Sequence, residues 1–302
     1  MRARARWLFR LYAVVALAGL AVALAGLTVV AHATALGAPS SDELLAACRS
    51  WLPHLNATDL LVFGLASLAS IVIGRAARSG ITAHRSTRKY LRALRPCGSL
   101  GTSIAACVIA DAEPKAFCAG LLRPRIYVST GALNKVEDVE LDAVLAHEAH
   151  HASRRDPLRL FVTHVLTDAL FFLPVMRALH RRHAALTELA ADEAAVGSSG
   201  ATQPLASALL AFGQVDNAAV IGVSAERVDN LLGERPRWEL PVSLLLAAAV
   251  TVAGLGALVI GTARITTMAQ VSWPLLLMQS CAPLMLGFAG LVLWGVFLRR
   301  SF

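Results

Sequence analysis

The stretch VLAHEAHHASRRD, residues 144–156, decides how this sequence is interpreted, because it holds three histidines and one glutamate within five positions. Residues four apart lie on one face of an α-helix, so His147 and His151 can aim two imidazoles at one point. That is the arrangement a zinc ion (Zn2+) needs. Glu148 points about 100° away around the helix, where its carboxylate can serve as general base toward a zinc-bound water.

The surrounding residues predict a helix from about Glu137 to Arg155. Acidic residues crowd its first turn and arginines its last, as the helix dipole favours. Asp156 is then predicted as N-cap, and Pro157 as first residue, of the next helix. The remaining histidine, His150, is assigned to a supporting position or to solvent.

A third zinc ligand must come from elsewhere, because a catalytic zinc takes three protein ligands. The stretch LTELAADEAAV, residues 186–196, is predicted to be helical, and places Glu188 and Asp192 four apart on one face. Glu188 can bind the metal while Asp192 holds the free ring nitrogen of a ligand histidine. The alternative is a solvated acidic helix face.

Three short strands are predicted before the zinc helix, at residues 107–111, 115–122 and 125–129. The middle strand could hold an extended substrate by edge-strand addition, through Ala116, Phe117, Cys118 and Ala119. An ordinary internal strand is the alternative. Besides zinc, a second group could stabilise the negatively charged oxygen (the oxyanion) that forms on the substrate during the reaction. The sequence does not identify this group, and the candidates are Tyr127, His164 and His183.

The composition places the chain among membrane proteins, since 56% of its 302 residues are apolar. Apolar stretches at about 11–36, 58–74, 241–263 and 273–298 predict four transmembrane helices. Basic residues flank them on one side, so the positive-inside rule puts both termini and the 75–240 segment in the cytoplasm. The net charge of +8 is then explained by the basic residues that flank the spans on the cytoplasmic side. Nucleic-acid binding is not expected. A cleavable signal is the alternative for the first stretch, but its apolar run is longer than usual signal cores.

Three regions follow: a helix pair in 1–80, a cytoplasmic domain in 81–238 and a second helix pair in 239–302. A further apolar helix is predicted over 157–180. It cannot cross the membrane if the two parts of the zinc site are to meet, so we expect it to be buried or to lie against the membrane. The five cysteines are an odd number, and three of them fall in the cytoplasmic segment, so no disulfide framework is expected.

The motifs HEAHHASRRDPL and ELAADEAAV, preceded by AFCAGLLRPRIYVSTGAL, resemble the bacterial membrane zinc metallopeptidases of the beta-lactam-sensor and antirepressor type. The heat-shock membrane metallopeptidases are similar but usually place two membrane helices between the motifs, where this chain has one apolar helix. The resemblance covers about residues 85–200. It implies zinc ligands His147, His151 and Glu188 with Glu148 catalytic, in an α+β zincin-like domain of a mainly α membrane protein.

The resemblance implies a zinc-dependent endopeptidase of the bacterial plasma membrane that cuts a protein or peptide substrate, such as a transcriptional repressor. The sensors carry an extracellular penicillin-binding domain after the last membrane helix, which we do not expect here because the sequence ends at Phe302. Two alternatives stay open: quality control of membrane proteins, and a non-catalytic signalling protein braced by zinc. A transporter fits less well, because the predicted spans carry almost no ionisable groups. The partners expected are the substrate and the lipid bilayer, and a homo-oligomer is left open.

Overall fold

Helices make up most of the computed structural model, which describes residues 2–35, 42, 57–101, 104–213, 225–234, 240–266 and 271–272. The helices are α1 (Arg2–Ala33), α2 (Ala57–Ala93), α3 (Thr130–Lys135), α4 (Asp138–Arg154), α5 (Asp156–Ala169), α6 (Val175–Ser199), α7 (Gln203–Gly213), α8 (Ala225–Leu231) and α9 (Val242–Thr266). The strands are β1 (Thr34–Ala35), β2 (Pro96–Leu100), β3 (Ala106–Ile109), β4 (Ala116–Ala119), β5 (Arg125–Ser129) and β6 (Val271–Ser272).

Helices α1, α2 and α9 are the candidate membrane spans among the described residues. Each is long and apolar enough to cross a hydrocarbon core of about 30 Å, and few side chains of their most apolar segments are buried within the protein. They contain most of the predicted spans 11–36, 58–74 and 241–263, although α1 already ends at Ala33. The predicted span 273–298 lies outside the described residues, so the number four stays a prediction. Association with a membrane follows from the three helices.

The chain divides into two compact units, Met1–Gly19 with Val72–Ala249 and Leu20–Ile71 with Val250–Phe302. In the second unit, α1, α2 and α9 share an apolar cluster formed by Val30, Ala33, Val62, Leu65 and Val259. The first unit holds the sheet and helices α3 to α8. The region boundaries predicted near residues 80 and 238 stay predictions.

A mixed four-stranded sheet forms one layer of the first unit, in the order β2-β3-β5-β4. Strand β3 pairs parallel with β5, while β2 and β4 add antiparallel at the two sides. The predicted strands correspond to β3, β4 and β5; β2 was not predicted. In the described part of the chain, β4 is therefore an edge strand, paired with β5 alone.

Helix α4 lies at the centre of this unit. Its Val144 and Leu145 pack with Val128 of the sheet and Phe212 of α7, whereas its Ala143 packs in a second cluster with residues of α6 and α7. The helix begins at the predicted place: Glu137 is the N-cap, and its N–H donates to Glu140 Oε2 at 3.0 Å. Burial on both sides fixes the orientation of α4 and thus of its histidines.

The single helix predicted over 157–180 is wrong, because the chain breaks between Ala169 and Val175. Pro174 explains the break, since proline has no N–H to donate and disfavours helical backbone at the preceding residue. Helix α5 has 14 residues and is about 21 Å long, too short to cross the membrane. It packs on α1, where the Tyr12 hydroxyl donates to the Thr163 carbonyl at 2.6 Å.

The predicted N-cap of α5 is also wrong by one residue. Arg155 is the cap, and its left-handed backbone (φ 53°) turns the chain between α4 and α5. Asp156 already lies within α5 and is buried. Its carboxylate contacts His151 of α4.

Candidate metal centre

Helix α4 carries His147 and His151 one turn apart, and α6 brings Glu188 against them. The two Nε2 atoms lie 3.1 Å apart. Glu188 Oε2 is 3.5 Å from His147 Nε2, and Oε1 is 3.6 Å from His151 Nε2. Ligand atoms around a tetrahedral zinc with bonds of about 2.0–2.1 Å stand roughly 3.3 Å from one another. The cluster, which the sequence predicted, therefore fits a metal ion of that size.

Two carboxylates lie beside the outer ring nitrogens of these histidines. His147 Nδ1 lies 3.0 Å from Oδ1 of Asp192, the residue for which the sequence analysis predicted a supporting role. His151 Nδ1 donates to Asp156 Oδ2, also at 3.0 Å. Such partners fix the ring so that the other nitrogen faces the metal, and they raise its basicity. Sequence reasoning had given Asp156 only a capping role.

Arg227 of α8 joins the two carboxylates of α6 and was missed by sequence reasoning. Its Nη2 and Nε donate to Asp192 Oδ1 and Oδ2 at 2.6 and 2.8 Å, and its Nη1 lies 3.3 Å from Glu188 Oε2. The side chain is buried. A second ion pair, between Arg182 and Glu226, holds α8 to α6 nearby. No local pattern marks Arg227, because it lies far along the chain from its partners.

Neighbouring charges in the centre shift the pKa values of its groups in the direction opposite to the effect of burial. Burial alone would lower the pKa of His147, but Asp192, Glu188 and further negative charge raise it to about 9. Burial would raise the pKa of Glu188 and Asp192, yet His147 and Arg227 keep both below their ordinary values. The pKa of about 9 means that His147 binds a proton at neutral pH unless a metal displaces it.

Glu148 lies beside the histidines and behaves differently from the other carboxyl groups. Burial raises its pKa, although His147 and His151 act in the opposite direction. A carboxyl group whose pKa is raised toward neutrality is better suited to accept and return a proton.

A cavity of about 200 Å³ opens onto the cluster. Glu148 and the three cluster residues line it, together with Ala116, Phe117 and Cys118 of β4. Ala119, predicted to share the substrate-binding role, is not among the lining residues. Burial, with the nearby Glu148 and Asp156 carboxylates, raises the pKa of Cys118 to about 12. The thiol therefore stays protonated, and is not a nucleophile in this cavity.

Residues 61–230, more than half of the chain, match the model of the family described as BlaR1 peptidase M56. The chain belongs to the BlaR1 peptidase M56 family. No curated protein matches the sequence. The match confirms the resemblance to the sensor and antirepressor type, and makes this chain a membrane-associated metallopeptidase.

The three oxyanion candidates of this BlaR1-family peptidase do not line the cavity. Tyr127 stacks on Phe117, with ring centroids 5.3 Å apart, and His164 lies 3.7 Å from Asp168. His183 lines a second cavity, as does His150. Burial lowers the pKa of His183 to about 4, so its ring is neutral.

Proposed function

We propose that this BlaR1-family peptidase is a zinc-dependent endopeptidase with a single catalytic zinc site. The observation that carries the proposal is the convergence of two histidine nitrogens and the Glu188 carboxylate at 3.1–3.6 Å, with a carboxylate beside the outer nitrogen of each histidine. His147, His151 and Glu188 would hold the zinc, and Asp192 and Asp156 would orient the two histidines. Two histidines and a glutamate form a ligand set found in catalytic zinc peptidases.

Glu148 is the proposed general base and acid. Zinc in this cluster would polarise a peptide carbonyl and activate a water molecule for attack on it. Glu148 takes a proton as the water attacks, and passes it to the amine that leaves when the C–N bond breaks. Its place in the same cavity as the cluster supports this role.

Strand β4 is the proposed binding site for the substrate backbone. One side of β4 pairs with β5, and no described strand covers the other side. An extended peptide can add there through backbone hydrogen bonds. Ala116, Phe117 and Cys118 line the cavity, and Ala119 would continue the strand beyond it.

The active site is proposed to face the cytoplasm, and the substrate to be a regulatory protein such as a transcriptional repressor. The support is the charge distribution: arginines at positions 2, 4, 6 and 10 precede the first span, and a basic segment follows the second. Exposed peptide segments of a cytoplasmic protein could then reach the cavity without crossing the membrane.

The test compares new protein termini in host cells carrying the wild type, Glu148→Gln or Glu193→Gln. Glu193 is an exposed acidic residue on α6 and serves as the matched control. We expect termini that vanish with Glu148→Gln and persist with Glu193→Gln, because losing a general base lowers the rate about 10²–10⁴-fold. Zinc measured in the purified proteins should be equal in all three.

Two results would contradict the proposal. Termini that are absent from cells without the gene but persist with Glu148→Gln would exclude Glu148 as the base. Stoichiometric zinc with no termini and no cleavage of denatured protein substrates in vitro would mean that the metal only braces the fold.

A further inference from the structure

A second cavity, also about 200 Å³ in volume, lies between α1, α4, α5 and α6 within the first compact unit. Its charged lining is mostly cationic. Four arginines line it, with one acidic residue, Asp156: Arg6, Arg10, Arg154 and Arg159. The proposed peptidase reaction uses none of these arginines.

The one carboxylate does not neutralise this cavity. Asp156 Oδ2 is already engaged by His151 Nδ1 at 3.0 Å. Its Oδ1 is 3.9 Å from Arg154 Nε and 3.8 Å from Arg159 Nη1, which is longer than a hydrogen bond. Among the described residues, no carboxylate pairs with Arg6 or Arg10. An excess of positive charge therefore faces this space.

A buried polar atom is also left without a partner there. His183 is only 3% exposed, and in the described part of the chain its Nδ1 has no hydrogen-bond partner. Its neighbour Thr187 uses its hydroxyl to donate to the His183 carbonyl. Buried polar atoms without partners are rare in native proteins, so such an atom indicates a missing ligand.

We propose that this cavity binds the phosphate group of an anionic membrane lipid. Guanidinium groups bind phosphate oxygens with paired hydrogen bonds, and the ring of His183 can donate one more. The position favours a lipid over free phosphate: Arg6 and Arg10 precede the apolar run of α1, where a span leaves the hydrocarbon core and headgroups begin. The phosphate would sit on the opposite side of Asp156 from the metal centre, since Asp156 lines both cavities.

The experiment measures lipid binding by native mass spectrometry of the full chain in detergent. The chain is titrated with phosphatidylglycerol, with phosphatidylcholine, or with inorganic phosphate as competitor. The test variant is Arg6→Gln with Arg10→Gln. Its matched control is Arg2→Gln with Arg4→Gln, which removes the same charge from the same helix, and Arg4 does not line the cavity.

We expect phosphatidylglycerol to bind more tightly than phosphatidylcholine, and the Arg6/Arg10 variant to bind it about tenfold or more weakly. The Arg2/Arg4 control should change the affinity by no more than about twofold. A further variant, His183→Phe, keeps an aromatic ring against Phe9 but removes the nitrogen, and should also weaken binding. Thermal unfolding of each variant shows whether it is folded.

Two other outcomes would overturn the proposal, and a third would support it. If both double variants lost the same affinity for phosphatidylglycerol, general surface charge would explain the binding, and the proposed site would be overturned. Equal binding of both lipids, with no effect of inorganic phosphate, would also overturn it. Displacement of phosphatidylglycerol by millimolar phosphate would support the phosphate site but assign it to a soluble anion as well.

Discussion

At the scale of a single residue, Asp156 lines both cavities of the first unit. Its Oδ2 accepts from His151 Nδ1 at 3.0 Å, and its Oδ1 faces Arg154 and Arg159. The carboxylate therefore orients a proposed metal ligand while it stays under the influence of two cations. A substitution at Asp156 should therefore lower the metal affinity more than it lowers the stability of the fold.

Asp156→Asn is expected to lower zinc affinity about 10–100-fold, because the amide holds the outer nitrogen of His151 less well than a carboxylate does. Competition with a fluorescent zinc chelator measures the affinity in detergent. Asp142→Asn, an exposed position on α4, is the control and should leave the affinity unchanged. Equal affinities for wild type and Asp156→Asn would show that the Asp156 carboxylate does not support metal binding through His151.

His147 gives a second prediction at this scale, from its pKa of about 9 in the metal-free chain. A ligand imidazole must be neutral, so zinc binding near neutral pH should release about one proton from His147. Metal affinity should then rise with pH until the pH passes that pKa. Calorimetry in buffers of different ionisation enthalpy counts the released protons. Zinc binding without proton release would contradict the charge assignment.

At the scale of elements, α8 is held to α6 by side chains at consecutive positions. Glu226 pairs with Arg182, and Arg227 binds Asp192 and Glu188. Seven residues are too few for a helix that is stable by itself. The ion pairs with α6 therefore determine whether α8 stays docked beside the metal centre.

Arg227→Gln should loosen α8 and leave Asp192 buried without its cation. Breaking one partner out of a buried pair costs about 3–5 kcal/mol, so amide hydrogen exchange in residues 225–231 should rise strongly. Asp229→Asn, on an exposed face of the same helix, is the control. Unchanged exchange in the Arg227 variant would show that other contacts hold α8.

Predictability from sequence differed among these elements for physical reasons. The helix that carries His147 and His151 could be placed within one residue, because its periodicity, its acidic first turn and its cap are all local. The break at Pro174 was missed since the apolar pattern continues across it. Arg227 could not be found, because its pairing with Asp192 depends on tertiary contacts between distant segments.

At the scale of the whole molecule, the first unit combines the metal centre, both cavities and the basic start of α1. The N-terminal arginines thus belong to the same compact unit as the proposed catalytic residues. If that terminus is cytoplasmic, the catalytic residues must be cytoplasmic too. The proposed orientation of the whole chain can therefore be tested at one exposed position of this unit.

Cys97 is exposed in the first unit. Cys48 lies outside the described residues, between the predicted spans 11–36 and 58–74, and the positive-inside rule predicts that this connection faces the outside. Two variants, each retaining one of these cysteines, are treated in intact cells with a maleimide that cannot cross membranes. Because basic flanks stay inside, we expect labelling of Cys48 and not of Cys97. Both should react in lysed cells, which controls for thiol accessibility. Labelling of Cys97 in intact cells would place the metal centre outside and exclude a cytoplasmic repressor as its substrate.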